Sequence, residues 1–334
     1  MEDRSNDTLD EREEIVVHAK CLSLAAMLCV GSGVHAQEFP QRPLRIIVAF
    51  TTGTAADIVA RQIAAKMADD FGKPVVVENR EGAAGTIGAG VAARASPDGH
   101  TMLIASPSII VSPLLIKNLP YEVMRDFSPV SYMATFPTVL VVGAGIQAGS
   151  VKELIDLTRS APGKLNYATA GRGTASHLSA ELMRSMTGVQ IVEVPYRATS
   201  QALADTISGQ ASLYFPNLVS ALPHIKSGRL KGLAVTSEKR SQAAPEIPAM
   251  AESLPGYEAA SWYGVIVPSQ TPPAVIAKLN GAITKVLQDT EVRQRFLALG
   301  GDIAPGGPRE LDRTMRGGIV KWGKIVAQIQ SQSK

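Results

Sequence analysis

From Arg45 to Met67 the chain reads RIIVAFTTGTAADIVARQIAAKM, and this stretch constrains the fold more than any other. Ile46 to Phe50 is a short apolar run rich in β-branched residues, Thr51-Thr52-Gly53-Thr54 is a tight loop, and the alanine-rich segment beyond it repeats apolar residues at helical spacing. Strand, loop and helix in that order predict a βα unit. The first turn of such a helix carries N–H groups with no carbonyl four residues back, and its dipole favours negative charge. The loop is therefore a seat for a carboxylate or a phosphate. Asp57, in that first turn, reads first as a favourable charge at a helix start and second as a ligand contact.

The same alternation continues through the chain. Arg45 to Phe50 is expected as a strand, Ala56 to Phe71 as its helix with Gly72 as the stop, Val75 to Glu78 as a strand, and EGAAGTIGAGVAARA as a glycine-rich loop opening a helix. Thr101 to Ala105 is the next strand. Pro107 to Phe136, holding Pro113, Pro120 and Pro129, reads as less regular. A second series follows, with strands at Val139–Val142, Leu165–Ala168, Ile191–Pro195, Ala211–Phe215 and Leu230–Thr236. Helices are expected at Lys152–Arg159, His177–Thr187, Gln201–Ser208 and Leu218–Ser227. The chain closes with a strand at Ser261–Val267 and helices at Pro273–Asp289, Glu291–Leu299 and Arg309–Ile329. This pattern predicts an α/β protein of two lobes that share strands across a cleft, each a mostly parallel sheet flanked by helices.

The chain has 334 residues, 45% hydrophobic and 19% charged, enough for two lobes of about 100–150 residues each. After an acidic start, CLSLAAMLCVGSGVHA runs apolar into small residues behind Lys20, with Val34-His35-Ala36 as an A-x-A-like cleavage site. Residues 1–36 are expected as a secretory signal peptide. The acidic start is atypical for a signal and points to translation beginning near Val16 or Val17. Both cysteines, Cys21 and Cys29, lie in this segment, so export without disulfides points to a bacterial periplasm. Removing residues 1–36 takes out three basic and seven acidic residues, which turns the net charge of +3 into +7. That mild, dispersed excess suits an anionic small molecule, and without basic runs interleaved with aromatics no nucleic acid partner is expected.

Catalytic signatures are missing from the sequence: it has no HExxH, no GxxxxGK[ST], no GxSxG and no paired cysteines outside the signal. His100, His177 and His224 stand far apart, so neither a metal site nor histidine-based catalysis is expected. Gly171-Arg172-Gly173-Thr174-Ala175-Ser176 follows a short strand and opens a helix, with Glu193 near the end of the next strand, which imitates a dinucleotide fingerprint. Ser176 stands where a glycine or alanine should let helix and strand close up, so the loop is read as an anion cradle without a cofactor. Arg172 and Arg197 could pair with a carboxylate. Tyr167 and Tyr196 could line a pocket, while Trp262 and Tyr263 are expected in core or hinge packing.

From about Phe39 onward the chain resembles the extracytoplasmic solute receptors of tripartite tricarboxylate transporters, the Bug-type receptors. The matching pieces are FPQRPLRIIVAF, VVVENREGAAGTIGA, SPDGHTMLIAS, LNYATAGRGTASHL, EVPYRATSQALADTISGQ, SGRLKGLAVTSEKRS and SWYGVIVPSQTPPAVIAKLN, in the family's order. The resemblance implies a periplasmic binding protein, type II-like, with lobe 1 at 37–136 plus 261–334 and lobe 2 at 137–260. It implies a monomer that closes on a small mono-, di- or tricarboxylate, aliphatic or aromatic, and delivers it to membrane transporter subunits. The ligand residues it implies on lobe 1 are Phe50, Thr52, Gly53, Thr54 and Asp57, with Gly85, Thr86, Gly88 and Ser106. On lobe 2 they are Thr169, Gly171, Arg172, Gly173, Thr174, His177 and Tyr196, with Pro216 and Asn217.

Two positions depart from the family. Gly-Gly before the first helix is here Gly53-Thr54, and the glycine after the Tyr-basic pair is here Ala198. A positive φ at Thr54 would cost more than at glycine. Gly53→Pro is expected to abolish binding with the fold intact. An exported enzyme acting on a carboxylate through Asp57 or His177, and a ligand-presenting sensory partner, are the competing readings.

Overall fold

The βα unit forms where its pattern places it. In the computed structural model β1 (Leu44–Val48) buries Leu44, Ile46, Ile47 and Val48, and α1 (Ala55–Phe71) buries Val59, Ile63 and Met67 before Gly72, at φ 60, ends it. The structure describes residues 39–143, 145–171, 173–196 and 198–332. The segment expected as a signal peptide, with its cysteines, and the candidates Arg172 and Arg197 lie outside the described residues.

The chain continues through β2 (Val75–Asn79), a 3₁₀ turn at Ala83–Gly85, α2 (Thr86–Ala93), β3 (Thr101–Ala105), α3 (Pro107–Leu115), α4 (Val123–Asp126) and β4 (Phe127–Phe136). It then builds β5 (Val139–Gly143), α5 (Val151–Ser160), β6 (Asn166–Thr169), α6 (Ala175–Thr187), β7 (Val192–Pro195), α7 (Thr199–Ser208), β8 (Leu213–Tyr214), α8 (Leu218–Lys226), β9 (Leu230–Val235) and α9 (Met250–Ser253). It returns through β10 (Ser261–Pro268), α10 (Pro273–Gln288), α11 (Thr290–Ala298), β11 (Asp302–Gly306) and α12 (Pro308–Gln332).

Two sheets result, in the orders β11-β4-β10-β3-β1-β2 and β7-β6-β8-β5-β9. Both lie within one compact unit, Arg42–Lys334. Each sheet is mixed. β1 pairs parallel with β2 and β3, and β6 pairs parallel with β7 and β8, because helical crossovers join those strands. The pairings of β10 with β3 and β4, and of β5 with β8 and β9, are antiparallel, because these strands cross over from the other sheet or return beside it. The stretch expected to be irregular, 107–136, contains two helices and a ten-residue strand. The long α12 packs against β4, α3 and α6, so it touches elements associated with both sheets.

Where the chain passes between sheets, buried hydroxyls pin the crossing segments together. Thr138 N–H donates to Thr236 Oγ1 at 3.0 Å, and the two hydroxyls lie 3.0 Å apart. Thr138 Oγ1 also meets Ser179 Oγ of α6 at 3.2 Å, while Tyr257 OH donates to the Ser179 carbonyl at 2.9 Å. Burial pushes the Tyr257 phenol far above its usual range, so it stays a donor. Replacing Thr236 by Val orphans the buried Thr138 N–H and should cost about 1–3 kcal/mol of unfolding free energy. Urea denaturation with an unchanged m-value would show it.

Candidate ligand-binding site

Phe50, just beyond β1, sits in the wall of a cavity of about 230 Å³, smaller than the roughly 300–1,000 Å³ that drug-sized ligands occupy. Three helices start at this cavity. Ser106 precedes α3, Thr174 precedes α6 and Asn217 precedes α8, and all three residues line it. Their positive dipole ends meet at one small space, although α8 gives its Leu218 N–H to the Pro137 carbonyl and its Ser220 N–H to the Asn217 carbonyl, and the arrangement suits an anion without a buried cation. α3 follows a strand of the six-stranded sheet, whereas α6 and α8 follow strands of the five-stranded sheet, so the two halves of the molecule share the site.

The remaining wall comes from Pro107 and Ser108 of α3, Ala175 and Leu178 of α6, and the returning segment Ala259 to Ser261. Tyr263 of β10 and Trp322 of α12 complete it. Among the described residues that line this cavity, none carries a charged side chain. The Tyr263 phenol is pushed by burial up to about 12 and is neutral. Ser106 Oγ and Ser108 Oγ lie 2.9 Å apart and present hydroxyls at the α3 end.

The loops before α1 and α6 are copies of one another. Gly53 has φ 83 and Gly173 φ 82; Thr54 and Thr174 follow as N-caps at φ −72, ψ 161 and φ −74, ψ 162. Thr54 Oγ1 donates to the Thr51 carbonyl at 2.9 Å, and Thr174 Oγ1 donates to that of Gly171 at 2.6 Å. Gly53 N–H donates to Asp57 Oδ2 at 2.9 Å, and Gly173 N–H to His177 Nδ1 at 3.4 Å. The shared sequence signal is Gly-Thr-Ala followed two positions later by Asp57 or His177, a repetition of function rather than of period. It also settles the Thr54 question: the left-handed residue is Gly53, and Thr54 is extended. Ala198, at φ −129, needs no glycine either.

Other candidates take positions behind this wall. Asp57 is 2% exposed and accepts from Gly53 N–H, from Asn79 Nδ2 at 2.9 Å and from Arg61 Nε at 3.1 Å. Asn79 Nδ2 also donates to the Phe50 carbonyl at 3.0 Å, so Asp57 fixes the residue that does line the cavity. Burial pushes the Asp57 carboxyl up, but the donors Arg61, Gly53 and Asn79 outweigh it and hold it below the usual 3.8. A depressed folded value means that the stabilisation is complete above the unfolded value and is lost as pH falls through the folded one. Stability should therefore decline below about pH 4, with a shallower decline in Asp57→Asn. Urea midpoints between pH 2 and 6 measure it.

Gly88 is a packing position. A Cβ there would stand 2.8 Å from the Arg80 carbonyl and 2.9 Å from Ala49 Cβ, so α2 can approach the end of β1 only with glycine. Gly85 and the buried Thr86 belong to the same approach. Thr52 and Thr54 are on the open side of their loop. Thr169 is fully buried, with its hydroxyl between Glu193 Oε1 and Gly171 N–H. His177 is 3% exposed, Tyr196 packs against the core around β5 and α8, and Pro216 gives its carbonyl to Val139 N–H. Tyr167 is fully buried, its hydroxyl 2.5 Å from Glu181 Oε1, and lines no part of this cavity.

Gly53→Pro no longer isolates binding from folding. It would remove the N–H given to Asp57 and force out a φ of 83. Tyr263 and Trp322 enter the wall through packing between distant segments, and no local pattern marks them.

Residues 59–330 match the family described as the tripartite tricarboxylate transporter family receptor. Protein BugT of Bordetella pertussis is 34% identical over 308 residues, covering 91% of this chain and 94% of that protein. Among solved structures, Rpa4515 of R. palustris with adipate has 33% identity and a TM-score of 0.75 over 87% of this chain and 98% of its own. MatC (Rpa3494) of Rhodopseudomonas palustris with bound malate has 31% identity and a TM-score of 0.71 over 86% and 100%.

Proposed function

We propose that this chain, which belongs to the tripartite tricarboxylate transporter receptor family, is a periplasmic receptor that holds a small carboxylate between two lobes and hands it to membrane subunits of the tripartite tricarboxylate type. The observation that carries this reading is the convergence of the α3, α6 and α8 starts on one cavity. The similar proteins solved with adipate and malate support a carboxylate as the anion.

The lobes are 37–136 with 261–334, and 137–260. Closure about the crossings at Thr138 and Thr236 brings the α3 start to the α6 and α8 starts, and an anion touching both sides stabilises the closed state. Phe50, Ser106, Gly173, Thr174 and Asn217 form the contacting wall. Asp57, Gly88, Thr169 and His177 shape the loops behind it. The neutral Tyr263 phenol, with no charged side chain beside it among the described lining residues, suits binding without chemistry.

A thermal-shift panel of mono-, di- and tricarboxylates tests the reading. At a ligand concentration one hundred times its dissociation constant, the folded state gains about 2.7 kcal/mol. At least one acid should raise the melting temperature and be recovered unchanged. Conversion of the acid to a product would instead favour the enzyme reading.

A further inference from the structure

The wall of the cavity is of two kinds. The three helix starts present hydroxyls and N–H groups, while Trp322, Tyr263, Phe50 and Leu178 present carbon. Only 16 residues of the chain are Phe, Tyr or Trp, and three of them meet here. Trp322 is 4% exposed and is held in place from behind, because Lys321 Nζ lies 4.9 Å from its ring centroid while bonding to the Glu258 carbonyl and carboxylate.

Beyond the indole lies a second cavity, of about 410 Å³, whose wall includes Glu238, Glu258, Arg313 and Lys321. The two cavities share Trp322 and Ala260, so the indole is a partition common to a cavity without charged side chains among its described lining residues and one with four. In a cavity of about 230 Å³, a ligand whose carboxylate sits at the helix starts has its remainder against this carbon wall, which includes Trp322. A second carboxylate there would lose its hydration to aromatic and aliphatic carbon. A flat apolar ring would gain contact with three aromatic side chains.

We propose that Trp322 is the specificity-determining residue of the site, and that it selects an aromatic monocarboxylate over a dicarboxylate. The inference rests on the receptor reading above and narrows it to one class of acid.

Benzoate and benzene-1,4-dicarboxylate, which differ only by a carboxylate at the far end of the ring, are the probes, with adipate as an aliphatic diacid. Calorimetric titration of the full chain should give benzoate the tightest binding, with each diacid weaker by at least about tenfold. Trp322→Leu keeps an apolar residue in the core while shortening the partition; Trp322→Phe is the milder control, and circular dichroism reports whether each folds. In Trp322→Leu the gap between benzoate and benzene-1,4-dicarboxylate should shrink at least about threefold, as the second carboxylate gains access to the charged chamber. A diacid that binds wild type as tightly as benzoate overturns the selection while leaving the receptor reading intact. A gap unchanged in folded Trp322→Leu removes Trp322 as its cause. No binding of any acid in the wider carboxylate panel removes the receptor reading itself, and the inference with it.

Discussion

Asp57→Ala should lower the unfolding free energy by about 2–3 kcal/mol, because one carboxylate with 2% exposure serves three donors. Gly53 N–H and Asn79 Nδ2 lose a buried acceptor outright. Arg61, whose side chain is 49% exposed, recovers water and contributes little. The loss should reach the site as well. Asn79 holds the Phe50 carbonyl, and with Asp57 gone its amide keeps only that carbonyl and the half-exposed Arg61 as partners, so Phe50 is held less firmly in the cavity wall. Affinity for the acid should fall severalfold even at low temperature, where the variant is fully folded. Urea denaturation and calorimetric titration on the same preparation separate the two effects. A variant as stable as wild type would show that the network around Asp57 does not hold the loop.

Ala175→Trp should abolish ligand-induced stabilisation while the fold survives. Ala175 is the first residue of α6, half-buried, and lines the 230 Å³ cavity. An indole in this space occupies the volume an acid would take and shields the N–H groups at the start of the helix. The position is open enough to solvent that the overpacking cost stays near the low end of the roughly 1–3 kcal/mol seen in cores. The expected result is a melting temperature close to that of wild type that no longer responds to any acid in the panel. A retained response would place the ligand elsewhere.

How far these features could be read from sequence varied with how local their cause was. Thr101–Ala105 and the Arg45–Met67 unit are set by patterns within a few residues, and the structure returns them almost residue for residue. The prolines between 107 and 136 misled because their usual meaning was overridden. Pro107 opens α3 where no N–H is needed, Pro113 is tolerated inside that short helix, and Pro129 falls at an irregularity in the β4 and β10 pairing. β11, with Pro305 and Gly306 in five residues, has almost no propensity of its own and exists because β4 offers an edge.

At the site, the loop positions Phe50, Ser106, Gly173, Thr174 and Asn217 were accessible from the strand-loop-helix pattern and the family resemblance, and the cavity brings them together. Asp57 and His177 occupy equivalent places behind their loops, and the Gly-Thr-Ala signal they share gains its structural meaning from the matching φ of Gly53 and Gly173. Trp322 was out of reach, because its part in the wall depends on α12 packing against α3 and α6 more than 200 residues after the first loop.

A crystal structure of the full chain grown with its tightest-binding acid would show where the anion is held. A carboxylate is expected among Ser106, Ser108, Thr174 and Ala175, with its oxygens about 2.7–3.2 Å from first-turn N–H or hydroxyl donors of α3 and α6, and with the remainder of the acid against Trp322. An acid bound instead in the pocket lined by Glu181 and Arg184, or held with its carboxylate away from every helix start, would contradict this placement.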